Sequence, residues 1–174
     1  MDSVITLKVS QKYGRNIWRE IEVLKNQTLV KLDYTIRNAF GLDTYDHLSE
    51  FYINGWPGGG LGEIDPLGKG PGAKIKVEQL ISDPTGQLGY VYDFGSEYHL
   101  KIIPEQTSDA QEDVHYPRVI NQNKPRHKKC SECGKTVATW ICYTCSEEKR
   151  NSIYLCDDCA EKNHDDHYTD EIVY

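Results

Sequence analysis

Long hydrophobic runs are absent from this sequence of 174 residues, in which 38% of the residues are hydrophobic and 27% are charged. A helix that crosses a bilayer needs roughly 20 consecutive apolar residues, so no membrane-spanning segment is expected. The first residues, Met1 to Lys8, also lack the basic stretch and long apolar run of a secretory signal. We therefore predict a globular, cytoplasmic protein without a membrane partner, long enough for one ordinary domain and a smaller one.

The sequence also lacks a net positive charge, because 27 Asp and Glu residues outnumber 20 Lys and Arg residues and the formal net charge is −7 at pH 7. That balance argues against a surface dedicated to nucleic-acid binding. One segment, residues 121–129, departs from it: it contains no acid and carries the positive charges of Lys124, Arg126, Lys128 and Lys129. We interpret this segment as a basic, solvated linker, and the alternative is an arm that contacts phosphates.

Cysteine is missing from the first 129 residues, and all six cysteines lie between residues 130 and 159. Four pairs of potential metal ligands occur from there to residue 167, each with two residues between its members: Cys130 and Cys133, Cys142 and Cys145, Cys156 and Cys159, and His164 and His167. Thiolate and imidazole groups bind zinc in tetrahedral sets of four, so these side chains predict two zinc ions. Four protein ligands per ion leave no open position for substrate, which favours structural rather than catalytic sites.

The order of the four pairs allows two groupings. In a cross-brace the first pair shares an ion with the third, and the second pair shares one with the fourth. In a sequential arrangement the first two pairs form one site and the last two form the other. We favour the cross-brace, because interleaved ligands tie a short segment with few apolar side chains into one unit. Three disulfides are the remaining alternative, but without an export signal no oxidising compartment is expected.

The spacing of these pairs, with Trp140-Ile141 before the second and Tyr154-Leu155 before the third, resembles the ZZ-type and B-box-type cross-braced zinc fingers. Most members of those families bind proteins, so the resemblance implies a protein partner. It covers only about a quarter of the chain and depends on ligand spacing, which unrelated zinc modules share.

The N-terminal part shows strand and helix periodicities in turn. Apolar residues recur at every second position in residues 4–10 and 17–23, which predicts two paired strands. Apolar residues at helical spacing predict a helix from Leu29 to Phe40. Thr28 is expected to cap the start of this helix, and Gly41 to end it in the left-handed conformation.

Further elements are expected after this helix. They are strands at residues 49–53, 88–94 and 97–103 and a brief helix within residues 74–81. The order favours an α+β fold, with a mixed β-sheet and helices packed on one face. Eight of the 14 glycines and three of the seven prolines lie between Gly55 and Gly72, which we interpret as a mobile insertion rather than a phosphate-binding loop.

Six successive motifs resemble those of the Ri-plasmid ORF-three-like family. They are Ile5-Thr-Leu-Lys-Val, Ile17-Trp-Arg-Glu-Ile-Glu-Val, Thr28-Leu-Val-Lys-Leu, Ile36-Arg-Asn-Ala-Phe-Gly, His47-Leu-Ser-Glu-Phe and Tyr92-Asp-Phe-Gly. The resemblance spans about residues 4–120 and implies an α+β domain of a family with no established activity, sometimes encoded beside transposases. The sequence departs from the family pattern after Tyr92-Asp-Phe-Gly, where either His99 is displaced or one residue is lost. The family's terminal cysteine segment is absent, and the zinc module replaces it.

A polar set outside the cysteine region offers a weaker enzyme hypothesis, with a site near Asp93 to His99. Its members are His47, Glu50, Asp93, Glu97, Tyr98 and His99. Because the sequence identifies neither a nucleophile nor an acid among these six residues, we favour structural roles for them and assign no catalytic residue.

The sequence thus predicts three parts, an α+β domain at residues 1–120, the basic linker at 121–129 and a zinc-finger module at 130–174. The favoured function is a non-enzymatic protein-interaction module, and nucleic-acid binding through Lys124, Arg126, Lys128 and Lys129 is the alternative.

Overall fold

The structure is a computed structural model that describes residues 2–13, 17–82 and 87–174. The chain divides into two compact units, Met1–Asn123 and Lys124–Tyr174. The boundary lies inside the segment predicted as a linker. Part of the connection between the two predicted N-terminal strands, residues 14–16, lies outside the described residues.

The first unit contains a seven-stranded sheet in the order β4-β3-β5-β6-β1-β2-β7. Its strands are β1 (Ser3–Gln11), β2 (Trp18–Leu24), β3 (Ser49–Ile53), β4 (Gly59–Ile64), β5 (Leu88–Tyr92), β6 (Tyr98–Asp109) and β7 (Arg118–Gln122). Every pair of neighbouring strands described in this sheet is antiparallel. The α+β class is confirmed, and the sheet is more uniform in strand direction than the mixed sheet that we expected.

The register of β1 and β2 follows the predicted alternation. Leu7 lies opposite Ile21, and both side chains are fully buried. On the same face Val9 lies opposite Arg19, a buried cation that donates to the Ala39 carbonyl oxygen. A period of two places one apolar face of each strand against the core, as the sequence indicated.

Helix α1 spans Leu29–Phe40, as predicted. Thr28 occupies the N-cap position, but its side chain makes no capping hydrogen bond, so that part of the expectation was wrong. Gly41 has φ +64° and donates its N–H to carbonyl oxygens of the last turn, as a C-terminal glycine does.

The glycine-rich segment contains a strand that the sequence did not reveal. Strand β4 pairs with β3, and a short 3₁₀ helix, Gly72–Lys74, follows it. Close backbone approach explains the glycines, because a Cβ on Gly72 would lie 2.0 Å from the Gly62 carbonyl oxygen. Helix α2, Val77–Leu80, then forms within the expected range.

Strand β7 also escaped sequence analysis, and it changes the proposed linker. Asn121 and Gln122, which we assigned to the linker, pair with Glu20 and Arg19 of β2. Asn123 then accepts hydrogen bonds through Oδ1 from the Trp18 backbone and from Arg19. These residues therefore belong to the first unit.

The second unit is small and carries five short elements. They are β8 (Trp140–Cys142), α3 (Tyr143–Lys149), β9 (Ile153–Leu155), α4 (Asp157–Asn163) and β10 (Thr169–Glu171). The strands form a separate sheet in the order β10-β8-β9. Within the described ranges of the chain, no helix has the length and apolar character to cross a bilayer.

Candidate metal centres

The first candidate site contains four cysteines, whose Sγ atoms all lie within 4.8 Å of one another: Cys130, Cys133, Cys156 and Cys159. Cys130 and Cys133 lie in a tight turn, in which the Gly134 N–H donates to the Cys130 carbonyl oxygen at 3.0 Å. Gly134 has φ +66°, a conformation that glycine adopts without strain. Cys156 and Cys159 come from the start of α4.

The second candidate site combines two thiols and two imidazoles, again with donor atoms within 4.8 Å: Cys142, Cys145, His164 and His167. Cys142 ends β8, and its Sγ accepts the Cys145 N–H at 3.4 Å. His164 follows the last residue of α4, and the His167 N–H donates to its carbonyl oxygen. The same short helix therefore carries ligands of one site at its start and of the other at its end.

These clusters settle the grouping that the sequence left open. The structure brings together the first and third pairs and the second and fourth pairs, which is the cross-brace, and the sequential arrangement was wrong. All six cysteines are free thiols. The Cys133 and Cys156 Sγ atoms are 3.9 Å apart, far beyond a disulfide length of about 2.05 Å.

The distances between the donor atoms fit tetrahedral coordination of one ion at each site. With zinc–sulfur bonds of about 2.3 Å, two sulfurs of a tetrahedron are about 3.8 Å apart, close to the Cys133–Cys156 separation. In the second site the Sγ of Cys145 is 3.5 Å from Nδ1 of His164 and 3.3 Å from Nδ1 of His167. The two Nδ1 atoms are 3.0 Å apart. Both imidazoles therefore turn Nδ1 toward the position of a shared ion.

The thiols of the first site differ widely in acidity. Backbone N–H groups of Thr136 and Lys135, with the Thr136 hydroxyl, lower the pKa of Cys133 to about 6. Burial, together with hydrogen bonds to Cys156, Cys130 and Cys133, raises the pKa of Cys159 to about 12. Crowded thiols cannot all ionise without a balancing charge, and a divalent cation among them would supply it.

The ligands also form most of the core of the second unit. Its buried cluster consists of Leu155 and four cysteines: Cys130, Cys142, Cys145 and Cys156. Trp140 and Ile153 pack against this cluster. A unit whose interior is built from metal ligands has little apolar area to stabilise it without an ion.

Two acidic residues inside the CxxC turns make contacts with other parts of the second unit, and sequence analysis missed both. Asp157 accepts hydrogen bonds through Oδ1 from Trp140 Nε1 and Thr139 Oγ1, each at 2.8 Å. Glu132 contacts the imidazole of His164. The sequence shows only that both residues lie between paired cysteines. This position does not determine whether a carboxylate faces solvent or contacts the rest of the unit.

The candidate nucleic-acid ligands Lys124, Arg126, Lys128 and Lys129 are all exposed. Lys128 is partly engaged, because its Nζ lies 5.7 Å from the centroid of the Tyr154 ring and its backbone N–H donates to Tyr174. Lys129 pairs with Val137 in an isolated bridge. All four cations belong to the second unit, which begins at Lys124, and their binding role stays a prediction.

The candidate enzyme residues form two ion pairs and two further sets of contacts. His47 Nδ1 lies 3.4 Å from Asp93, while His99 Nε2 lies 3.3 Å from Glu97. Glu50 accepts hydrogen bonds from the Tyr52 hydroxyl and the Gly62 N–H. Tyr98 accepts one from Gln11. Four of the six side chains therefore pair within the set, and the other two contact residues outside it; these contacts assign no residue a catalytic role.

The fold and the two Cys/His clusters together define an α+β protein with a C-terminal pair of candidate metal sites. The chain belongs to the family described as Plasmid pRiA4b ORF-3-like protein, whose model matches residues 3–138. The match extends beyond residue 120, where we expected the resemblance to end, and includes Cys130 and Cys133.

Among solved structures, the chain is similar to a protein of unknown function from Methanosarcina mazei Go1. The sequences are 29% identical, the similarity covers 70% of each chain, and the TM-score is 0.56. No match was found among curated proteins.

Proposed function

We propose that residues 124–174 form a protein-interaction module whose fold depends on two structural zinc ions. The donor sets support zinc, because four thiolates, or two thiolates and two imidazoles, in tetrahedral arrangement suit this ion best. All four positions at each site are filled by protein atoms, which supports a structural role. A reducing compartment such as the cytoplasm would keep the six thiols available for metal.

An exposed pair of tyrosines carries the interaction part of this proposal. The rings of Tyr143 and Tyr168 stack with centroids 5.3 Å apart, and the side chains are 38% and 71% exposed. Tyr143 directly follows the ligand Cys142, and Tyr168 directly follows the ligand His167. Metal at the second site would therefore hold both rings in place, and rigid exposed aromatic groups are typical of binding surfaces.

The charges beside the tyrosine pair indicate the chemistry of the partner. Four exposed acids flank Tyr168 in the sequence: Asp165, Asp166, Asp170 and Glu171. Lysine and arginine side chains bind both to carboxylates and to the faces of aromatic rings. The partner is thus a protein segment that presents basic side chains.

The test measures fluorescence anisotropy of labelled lysine- and arginine-rich peptides with the zinc-loaded full chain. Tighter binding than to glutamate-substituted counterparts is expected, with a loss of about tenfold or more in Tyr168→Ala, since such a ring is a typical binding hot spot. Cys142→Ser should abolish binding, because it removes a ligand that holds the tyrosine pair. Tyr45→Ala, which removes a ring that is 92% exposed in the first unit, is the matched control. Equal binding to basic and acidic peptides, or unchanged affinity in Tyr168→Ala, would contradict the proposal.

Nucleic-acid binding is the second candidate, supported by the exposure of Lys124, Arg126, Lys128 and Lys129. Phosphate contacts by four cations would make the affinity fall steeply with salt concentration. A mobility-shift titration at low and moderate salt, with all four residues changed to alanine in the control, tests it. Absence of a shift at low salt would exclude this function. A role of the protein in mobile elements, which the family resemblance suggests, would then lose its support as well.

A further inference from the structure

Glu132 belongs to one candidate metal site by sequence and contacts the other in space. It lies between Cys130 and Cys133, inside the turn that supplies two thiols to the first site. Its Oε2 atom is 3.2 Å from Nε2 of His164, a donor of the second site. The opposite ring nitrogen, Nδ1, faces the Sγ of Cys145 at 3.5 Å.

This geometry fixes the role of each imidazole nitrogen. Because Nδ1 of His164 turns toward the other donors, its lone pair is needed there and Nε2 keeps the proton. Nε2–H then donates to the Glu132 carboxylate, which orients the ring and makes Nδ1 a better metal donor. The side chain of His164 is 11% exposed and that of Glu132 is 39% exposed, so the imidazole is largely buried and the carboxylate is partly open to solvent.

The second oxygen of Glu132 is also engaged, because Asn163 Nδ2 donates to Oε1. Asn163 is the last residue of α4 and directly precedes His164. The carboxylate thus holds the end of the helix as well as the imidazole. Among the residues that the structure describes, none gives the outer nitrogen of His167 comparable support: Nε2 lies 3.8 Å from Asp166, whose side chain is 93% exposed.

We propose that Glu132 is a positioning residue that couples the two metal sites. An ion bound to Cys130 and Cys133 fixes the turn, the turn fixes the Glu132 carboxylate, and the carboxylate fixes the Nδ1 donor of His164. Filling the first site therefore raises the affinity of the second, and by linkage the second raises the first equally. This inference rests on the metal-binding part of the proposed function and not on the identity of any partner.

The test is a stepwise titration of the reduced, metal-free full chain with Co²⁺, whose absorption distinguishes a four-sulfur site from one with two sulfurs and two nitrogens. Glu132→Ala is expected to lower the affinity of the second site about 10- to 100-fold, the usual effect of losing such a support. Glu161→Ala, which removes an exposed acid from α4, should leave both affinities close to wild type.

Coupling is tested by combining Glu132→Ala with Cys133→Ser. Cys133→Ser disables the first site and should weaken the second site strongly in the wild-type background. The same change should have a much smaller effect once Glu132 is absent, because the carboxylate no longer transmits it. Fully additive losses would overturn the proposal.

Glu132→Gln separates positioning from a general loss of structure. In the zinc-loaded protein, long-range ¹⁵N NMR should show metal on Nδ1 and a proton on Nε2 of His164. Glu132→Gln should keep two bound ions but weaken the Nε2–H hydrogen bond, with a shift at His164 and little change at His167. Two ions bound with unchanged His164 resonances and affinities in both Glu132 variants would refute the coupling alone. A wild-type chain that binds no metal would refute the proposed function together with it.

Discussion

At the scale of single residues, the first unit contains a buried ion pair that hydrophobic periodicity did not foretell. Asp33 and Arg37 lie one turn apart on α1, and their side chains are 5% and 1% exposed. The Asp33 Oδ2 and Arg37 Nε atoms are 2.9 Å apart, in close ionic contact without hydrogen-bond geometry. Asp33 Oδ1 also accepts the hydroxyls of Ser49 and Tyr90.

Arg37 carries this network into the loop after the helix. Its guanidinium donates to the carbonyl oxygens of Asp46 and His47, at 3.0 and 3.1 Å, and to the Ser49 hydroxyl. Asp33 and Arg37 fall outside the apolar positions of the helical pattern, so the pattern gave no reason to expect their burial. Their hydrogen-bond and ionic partners outside the helix come from β3, β5 and the loop.

We expect Asp33→Ala to destabilise the first unit by about 3–5 kcal/mol, because it leaves the buried Arg37 charge without its counter-ion. Urea denaturation followed by a probe of the first unit measures the change in the free energy of unfolding. The loss in Asp33→Ala combined with Arg37→Ala should be clearly smaller than the sum of the two single losses. Lys31→Ala, at an exposed position of the same helix, is the control and should change stability by less than about 0.5 kcal/mol. A loss of that small size in Asp33→Ala would contradict the structural role of the pair.

At the scale of elements, helix α4 sets the relation between the two candidate metal sites. It contains seven residues, and ligands stand at its beginning and just after its end. One additional residue in the helix would turn the following ligands by about 100° and move them by about 1.5 Å.

We therefore predict that an alanine inserted between Glu161 and Lys162 removes metal from the second site and leaves the first site filled. Metal analysis should fall from about two equivalents to about one, because Cys156 and Cys159 precede the insertion whereas His164 and His167 follow it. An alanine inserted between Pro125 and Arg126, in an exposed segment, should leave the metal content unchanged. Two equivalents in the helix insertion variant would show that the ligands tolerate a different spacing.

Sequence periodicity predicted the elements whose apolar residues alternate or recur clearly, such as β1, β2 and α1. It missed β4, because three of its six residues are glycines and the strand carries little apolar pattern. It missed β7, because four of the five residues of this strand are exposed and only pairing with β2 defines it. Strands made by backbone pairing rather than by a buried face leave no periodic signal.

The eight candidate ligands could be identified from spacing alone, since paired Cys and His residues of this kind are typical of zinc modules. Their grouping required the structure, because both arrangements use the same ligand types in the same numbers. The contacts of Glu132 and Asp157 required it as well. Whether a carboxylate supports an imidazole or points to solvent depends on distances between turns that are far apart in the sequence.

At the scale of the whole molecule, the two units differ in what holds them together. The first has an apolar core in which Leu7, Ile21, Phe51 and Tyr90 are completely buried. The second has Leu155 among four buried cysteines. Removal of metal should therefore affect the two units very differently.

We predict that a chelator unfolds residues 130–172 and leaves the first unit folded. Structural zinc contributes about 10–16 kcal/mol of binding free energy in small zinc-dependent folds, more than a core of one leucine and several thiols can replace. Hydrogen exchange followed by mass spectrometry measures this directly: amides of β8, β9 and β10 should lose protection, while those of β1 and β6 keep it. Added Zn²⁺ should restore protection and added Mg²⁺ should not, because Mg²⁺ prefers oxygen ligands. Unchanged exchange in the second unit after chelation would show that packing alone holds it, and loss of protection in β1 at the same chelator concentration would show that the two units unfold as one.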